Sequence, residues 1–266
     1  MNFKSFAIAS ALALASTVSS AALVTVNEAS LGVFGYTVQD VKQMTGTYQE
    51  NVTVTNTGTF TAAAIANFTA FTNASGTAYS FVAGEAAVNA TYQLYAVFTG
   101  AGTVGAGGVF TGTSGTFTLY ALTGGVLGSP NLGFDISGNP TASANIVNVG
   151  APGWTVTELA SSNVMSYGLA TGVGSESSSF KFLFDETTLT AAGKLFFIDP
   201  DPFYATVNVN GDVDDGLKAL PGQYSNVTGQ LSAEFTNTVP EPGSLALVGL
   251  ALAGIGISRR RKNTAK

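Results

Sequence analysis

Apolar and polar residues alternate one for one along much of this chain. Val52-Thr53-Val54-Thr55 has a period of two, Asn56-Thr57-Gly58 interrupts it, and Thr59-Phe60-Thr61 resumes it, which predicts a hairpin. Further strands are predicted at Tyr92–Phe98, Gly115–Tyr120, Phe180–Phe184, Leu195–Ile198, Tyr204–Val209 and Val227–Leu231. These runs are rich in Thr and aromatic residues, which suit a pleated, half-buried surface. Within the first of them, Tyr92 and Leu94 share one face and Tyr95 and Val97 the other. Small and polar runs such as Gly100–Gly108 read as loops. Short helices are expected at Phe81–Ala90 and at Asp185–Ala192, the latter ending before Gly193. Eight or more short strands with Gly and Asn turns predict a mainly β protein. The expected form is a single antiparallel sandwich or barrel-like domain over residues 23–238, about 215 residues and ample for a core.

Both ends depart from this pattern. At the start, Lys4 precedes an apolar run from Phe6 to Ala15, and the small residues Ser20-Ala21-Ala22 follow. Positive charge, apolar core and small-residue exit, in that order, predict a secretory signal peptide over residues 1–22. Cleavage is expected after Ala22, with Ala21 as the second choice. Toward the other end, Val239-Pro240-Glu241-Pro242-Gly243 disfavours helix, because Pro lacks an amide donor and pushes its predecessor toward extended backbone. Ser244–Ser258 is then apolar, with Leu245–Ile257 as its greasy stretch, and Arg259-Arg260-Arg261-Lys262 closes it. As a helix this segment spans about 22 Å, short of the ~30 Å hydrocarbon core. It is expected to hold the inner membrane only transiently, with the arginines on the cytoplasmic side.

A Val-Pro-Glu-Pro-Gly box, a short apolar helix and an arginine cluster resemble the PEP-CTERM sorting signal, here over residues 239–266. The resemblance implies an integral-membrane exosortase as partner, with Pro240, Glu241, Pro242, Arg259, Arg260 and Arg261 as the signal residues. It also implies a Gram-negative host that exports the chain to its surface or matrix. A second likeness runs through Thr91–Phe98, Phe110–Tyr120, Asp199–Tyr204 and Val209–Asp212, which resemble flocculation-associated PEP-CTERM proteins. It implies a role in floc or biofilm formation with exopolysaccharide, and it brings no catalytic residues.

Composition narrows the chemistry. Charged residues are only 10 % of the chain and hydrophobic ones 45 %, unlike a helical protein rich in Glu, Lys and Arg. The 18 Phe and 9 Tyr supply enough apolar surface to argue against disorder. Net charge is −6, yet half of the ten basic residues stand at the extreme C-terminus. Only Lys42, Lys181, Lys194 and Lys218 lie between Leu23 and Thr238, so the body is strongly acidic and nucleic acid is not an expected partner. The chain has no Cys and no His, which removes thiol nucleophiles, thiolate zinc sites and imidazole bases.

Carboxylates are the remaining candidates. Asp212, Asp214 and Asp215 follow Asn210-Gly211 in a stretch that superficially suggests a calcium loop. Asp215 stands where the helix-loop-helix pattern needs Gly, and Pro221 where it needs a bidentate Glu, so only a different kind of calcium site is left open. Asp185-Glu186 and Asp199/Asp201 are formal candidates for a glycosidase pair, though adjacent strand residues point to opposite faces. Tyr92, Tyr95, Tyr120, Tyr204 and Trp154 could stack on sugars, most of them being expected in the core. Asn51, Asn67, Asn73, Asn89 and Asn226 head Asn-X-Ser/Thr triplets, which chance accounts for in a chain this rich in Asn and Thr. The expected function is therefore non-enzymatic: a surface or matrix protein promoting aggregation. The alternative is a carbohydrate-binding module, assisted by calcium.

Overall fold

The computed structural model describes residues 23–32, 36–79, 92–124, 154–171, 178–199, 206–213 and 224–236. The expected signal peptide, the expected helix at Phe81–Ala90, Asp201, Tyr204, Asp214, Asp215 and the tail from residue 239 lie outside them. The described strands are β1 (Val24–Asn27), β2 (Thr37–Val54), β3 (Thr59–Asn73), β4 (Tyr92–Val104), β5 (Phe110–Gly124), β6 (Trp154–Ser162), β7 (Val164–Thr171), β8 (Ser178–Asp185), β9 (Thr188–Leu189), β10 (Phe197–Asp199), β11 (Thr206–Val213) and β12 (Tyr224–Thr236). One short α-helix, α1 (Ala191–Phe196), and two 3-10 turns, Glu28–Leu31 and Ala106–Gly108, interrupt them.

The sheet closes. Strands run in the order β2-β12-β11-β8-β7-β5-β4-β3, and β3 pairs back onto β2, giving an eight-stranded antiparallel barrel. Of the two architectures expected, the barrel is the one formed. Closure removes the free edges that a sandwich leaves to be protected. The hairpin at Thr55–Gly58 is as expected: the Thr55 amide donates to the Thr59 carbonyl at 2.8 Å, and Gly58 supplies the left-handed residue at φ +74°.

Period-two alternation sorts the lumen from the outer wall. On β2, Met44, Tyr48, Val52 and Val54 are buried, with Gly46 and Glu50 at the intervening inward positions. On β4, Tyr92 and Leu94 join the main core, while Tyr95 joins Ile65 and Leu122 in a second cluster, with Val97 packed against it. The two faces read from the sequence are therefore the two sides of the barrel wall. Inside, the rings of Phe98, Phe117 and Phe184 stand 5.2 to 5.8 Å apart. Each fully buried side chain of this size contributes about 1.5–3 kcal/mol.

Three local expectations are corrected. Gly100–Val104 continue β4 rather than looping, paired residue for residue with Phe110–Gly115 apart from one bulge. Small residues stand there because the wall is crowded: a Cβ on Gly102 would lie 2.0 Å from the Thr111 carbonyl oxygen. Leu195 and Phe196 belong to α1, and only Phe197–Asp199 are strand. The expected helix at Asp185–Ala192 is displaced, since Asp185 ends β8 and Thr188–Leu189 form β9. Thr190 starts the helix instead: its hydroxyl accepts from the Gly193 amide at 3.0 Å and donates to the Glu158 carbonyl at 2.6 Å. Gly193 does not end the helix but lies within it. A Cβ there would stand 1.9 Å from the Leu159 carbonyl oxygen, so only glycine lets α1 lie this close to β6.

Candidate functional site

All eight barrel strands contribute to one lumen cavity of about 30 Å³, lined by Tyr48, Phe60, Phe98, Met165, Phe180 and Leu231 among others. It lies toward the end of the barrel that carries the β2–β3 and β4–β5 turns. Ala62, Ala64, Gly100 and Gly112 line it too, and their small side chains leave the space open. The one acidic residue on this wall is Glu50. Strand alternation turns it inward between Tyr48 and Val52, and its carboxyl group has no hydrogen-bond or ionic partner among the described residues. Loss of hydration pushes its pKa up to about 7.

At the opposite end a buried acidic residue is partnered instead. Glu28 is completely buried, and accepts from the Tyr92 hydroxyl at 2.7 Å and the Tyr36 amide at 3.1 Å. Burial first, and then the Glu28 carboxyl, hold the Tyr92 phenol well above its usual pKa. Phe196 of α1 meets the Tyr92 ring edge-on at 6.1 Å, and Phe197 meets Phe235 at 5.5 Å. This end is thus closed by α1 and the turn after β1.

Both ends of the described barrel chain meet here. β12 pairs with β2 from Thr53 down to Gln43, through Glu234. β1 takes over the same edge of β2 at Val41, through Val24, and continues to Thr37. Lys42 and Glu234 form an ion pair at 2.8 Å beside this junction.

The expected calcium stretch is largely strand. Asn210, Gly211 and Asp212 belong to β11 and pair with both β12 and β8, apart from Asp212, which pairs with β8 alone. Gly211 is there for packing: a Cβ would fall 2.4 Å from the Phe180 ring. Asp214 and Asp215 lie outside the described residues. Among the described residues no three acidic side chains converge to hold a metal ion. Asp185 has its backbone carbonyl bound by the Ser162 hydroxyl, and Glu186 takes the left-handed backbone of a turn at φ +54°. Tyr92 and Tyr95 are buried, which takes both out of sugar stacking, and Tyr120 is half-buried. Trp154 starts β6. Asn73 has a structural use, its Oδ1 accepting from the Ser75 and Thr77 amides to fix a turn.

Glu28 and Glu50 were not singled out from the sequence. For Glu50 a signal existed, since it is the one charge at an even position of Met44–Val54, where every other such residue is apolar or Gly. For Glu28 the signal is shorter: it is the next even position after Val24 and Val26, both of them buried.

The chain matches the PEP-CTERM protein-sorting motif over residues 238–262. No curated protein and no solved structure matches it. The motif bears out the resemblance read from the proline box, apolar segment and arginine cluster. It implies processing by an exosortase and export to the cell envelope of a Gram-negative bacterium. It begins two residues after β12 ends at Thr236. Among the described residues no helix is long and apolar enough to cross a membrane.

Proposed function

We propose that this chain is a non-enzymatic surface or matrix protein that, once sorted, promotes flocculation or biofilm formation together with exopolysaccharide. The observation that carries the reading is the PEP-CTERM motif following directly on the last strand of a closed barrel. The missing Cys and His and the acidic composition of the body support a binding or structural role over a catalytic one. The second sequence likeness supplies flocculation and polysaccharide as the particular setting.

The test is an in-frame deletion in the producing bacterium, complemented by the full gene or by a version ending at Asn237. Settling rate and secreted polysaccharide are then measured. The deletion and the truncation should both floc poorly while polysaccharide yield stays normal. Normal flocs in the deletion strain would refute the role. A glycan array with the purified protein, with and without calcium, separates the alternative of a carbohydrate-binding module. In that case one polysaccharide binds the protein in vitro whether or not the sorting motif is present.

A further inference from the structure

We propose that the barrel lumen is a binding site for a small organic ammonium ion, with the Glu50 carboxylate as counter-ion and the rings of Phe60, Phe98 and Phe180 as walls. Two observations and two physical rules converge on this site. The carboxyl group points into the cavity and has no partner among the described residues. Glu50 is half-buried, and a carboxylate facing an apolar cavity without a counter-charge is costly, so the site is completed by something positive or by a proton. The wall around it is almost wholly apolar and rich in phenylalanine, whose ring faces attract cations, alkylated ammonium above all. Closed barrels of eight strands are wide enough to hold one small ligand.

Size restricts the occupant. The cavity as it stands has room for one or two waters. Its softest boundary is Met165, half-buried and lying between Gly112 and Gly168. A Cβ on Gly112 would come within 2.6 Å of the Met165 methyl carbon, so the two glycines make the space this side chain fills. An unbranched thioether can swing to enlarge the cavity where a β-branched residue cannot. The ligand is therefore small: methylammonium to trimethylammonium in size, not a long-chain amine. Tyr48 is the only other titratable side chain on the cavity wall among the described residues, so no lysine or arginine there competes for Glu50.

The experiment is isothermal titration of the purified full chain with trimethylammonium chloride at constant ionic strength. The neutral isostere tert-butanol serves as control. Saturable binding of the ammonium ion is expected at pH 8, about tenfold weaker at pH 6 where Glu50 is mostly protonated, with none for the alcohol. Glu50→Gln keeps the shape and should abolish binding. Should that variant fail to fold, the pH pair and the alcohol control on the unaltered chain decide. Equal binding of tert-butanol, undiminished binding by Glu50→Gln, or no saturable heat from either probe would each overturn the proposal. The last of these outcomes means that the lumen holds water only.

Discussion

Replacing Glu50 by Gln should flatten the pH dependence of this barrel's stability. In the unfolded chain the carboxyl titrates near 4.5, and in the barrel near 7 because burial strips its water. A raised carboxyl pKa means that the folded state binds the proton more tightly than the unfolded state does. Its contribution to stability is therefore complete below about pH 4.5 and is lost as pH rises through about 7. Each pH unit across that window changes stability by about 1.4 kcal/mol, so the whole window amounts to about 3 kcal/mol. For a chain of this length that corresponds to roughly 6–12 °C in unfolding midpoint. The assay is urea denaturation at half-unit steps from pH 4.5 to 8, for wild type and Glu50→Gln side by side. Other carboxylates titrate in both proteins and cancel in the difference. The variant should match the wild type within about 1 kcal/mol at pH 4.5 and exceed it by about 3 kcal/mol at pH 8. Parallel curves would show that Glu50 is hydrated or paired in the folded protein, and the lumen reading would fail with them.

Three further outcomes follow from the packing. Gly211→Ala should cost about 1–3 kcal/mol by driving a methyl group into the Phe180 ring, and pairing it with Phe180→Leu should recover part of the loss in a denaturation cycle. Tyr92→Phe should cost about 1.5–3 kcal/mol by urea denaturation, because it takes from the buried Glu28 carboxyl its hydroxyl donor. Ending the chain after Asn237 should leave the thermal midpoint of the barrel unchanged while changing where the protein accumulates, measured by calorimetry and by immunoblot of cell and medium fractions.

How much of this was legible depended on whether a residue's neighbours in sequence set its environment. The hairpin at Val52–Thr61 and the two faces of Tyr92–Phe98 were legible because a period of two reports the side of a sheet directly. The sorting motif was legible because its three parts are contiguous. Closure was not, since the pairing of β2 with both β3 and β12 joins residues up to 180 or more positions apart. Leu195–Ile198 misled because a short apolar run suits either a helix or a strand. The tie is broken by Thr190 capping the turn and by Leu159 leaving room only for Gly193. Asn210-Gly211-Asp212 misled for a related reason: glycine beside acidic residues signals a turn, unless a distant ring such as that of Phe180 requires the missing Cβ.

The placement of the chain ends connects the fold to the sorting motif. β12 and β1 share one edge of β2 in succession, and both run antiparallel to it, so they run in the same direction. The positions on β2 from Val41 to Thr37 are taken by β1, and β12 cannot extend along them. The last strand therefore leaves the sheet where the first one begins, at the end of the barrel closed by α1 and the Glu28–Tyr92 bond. Val24, the first residue of β1, and Thr236, the last residue of β12, thus belong to this one end of the barrel. The cavity around Glu50 lies toward the opposite turns, and its lining residues run from Tyr48 to Leu231. Removing either terminal segment thus takes no residue from the lumen wall, and the lumen chemistry should be the same before and after processing.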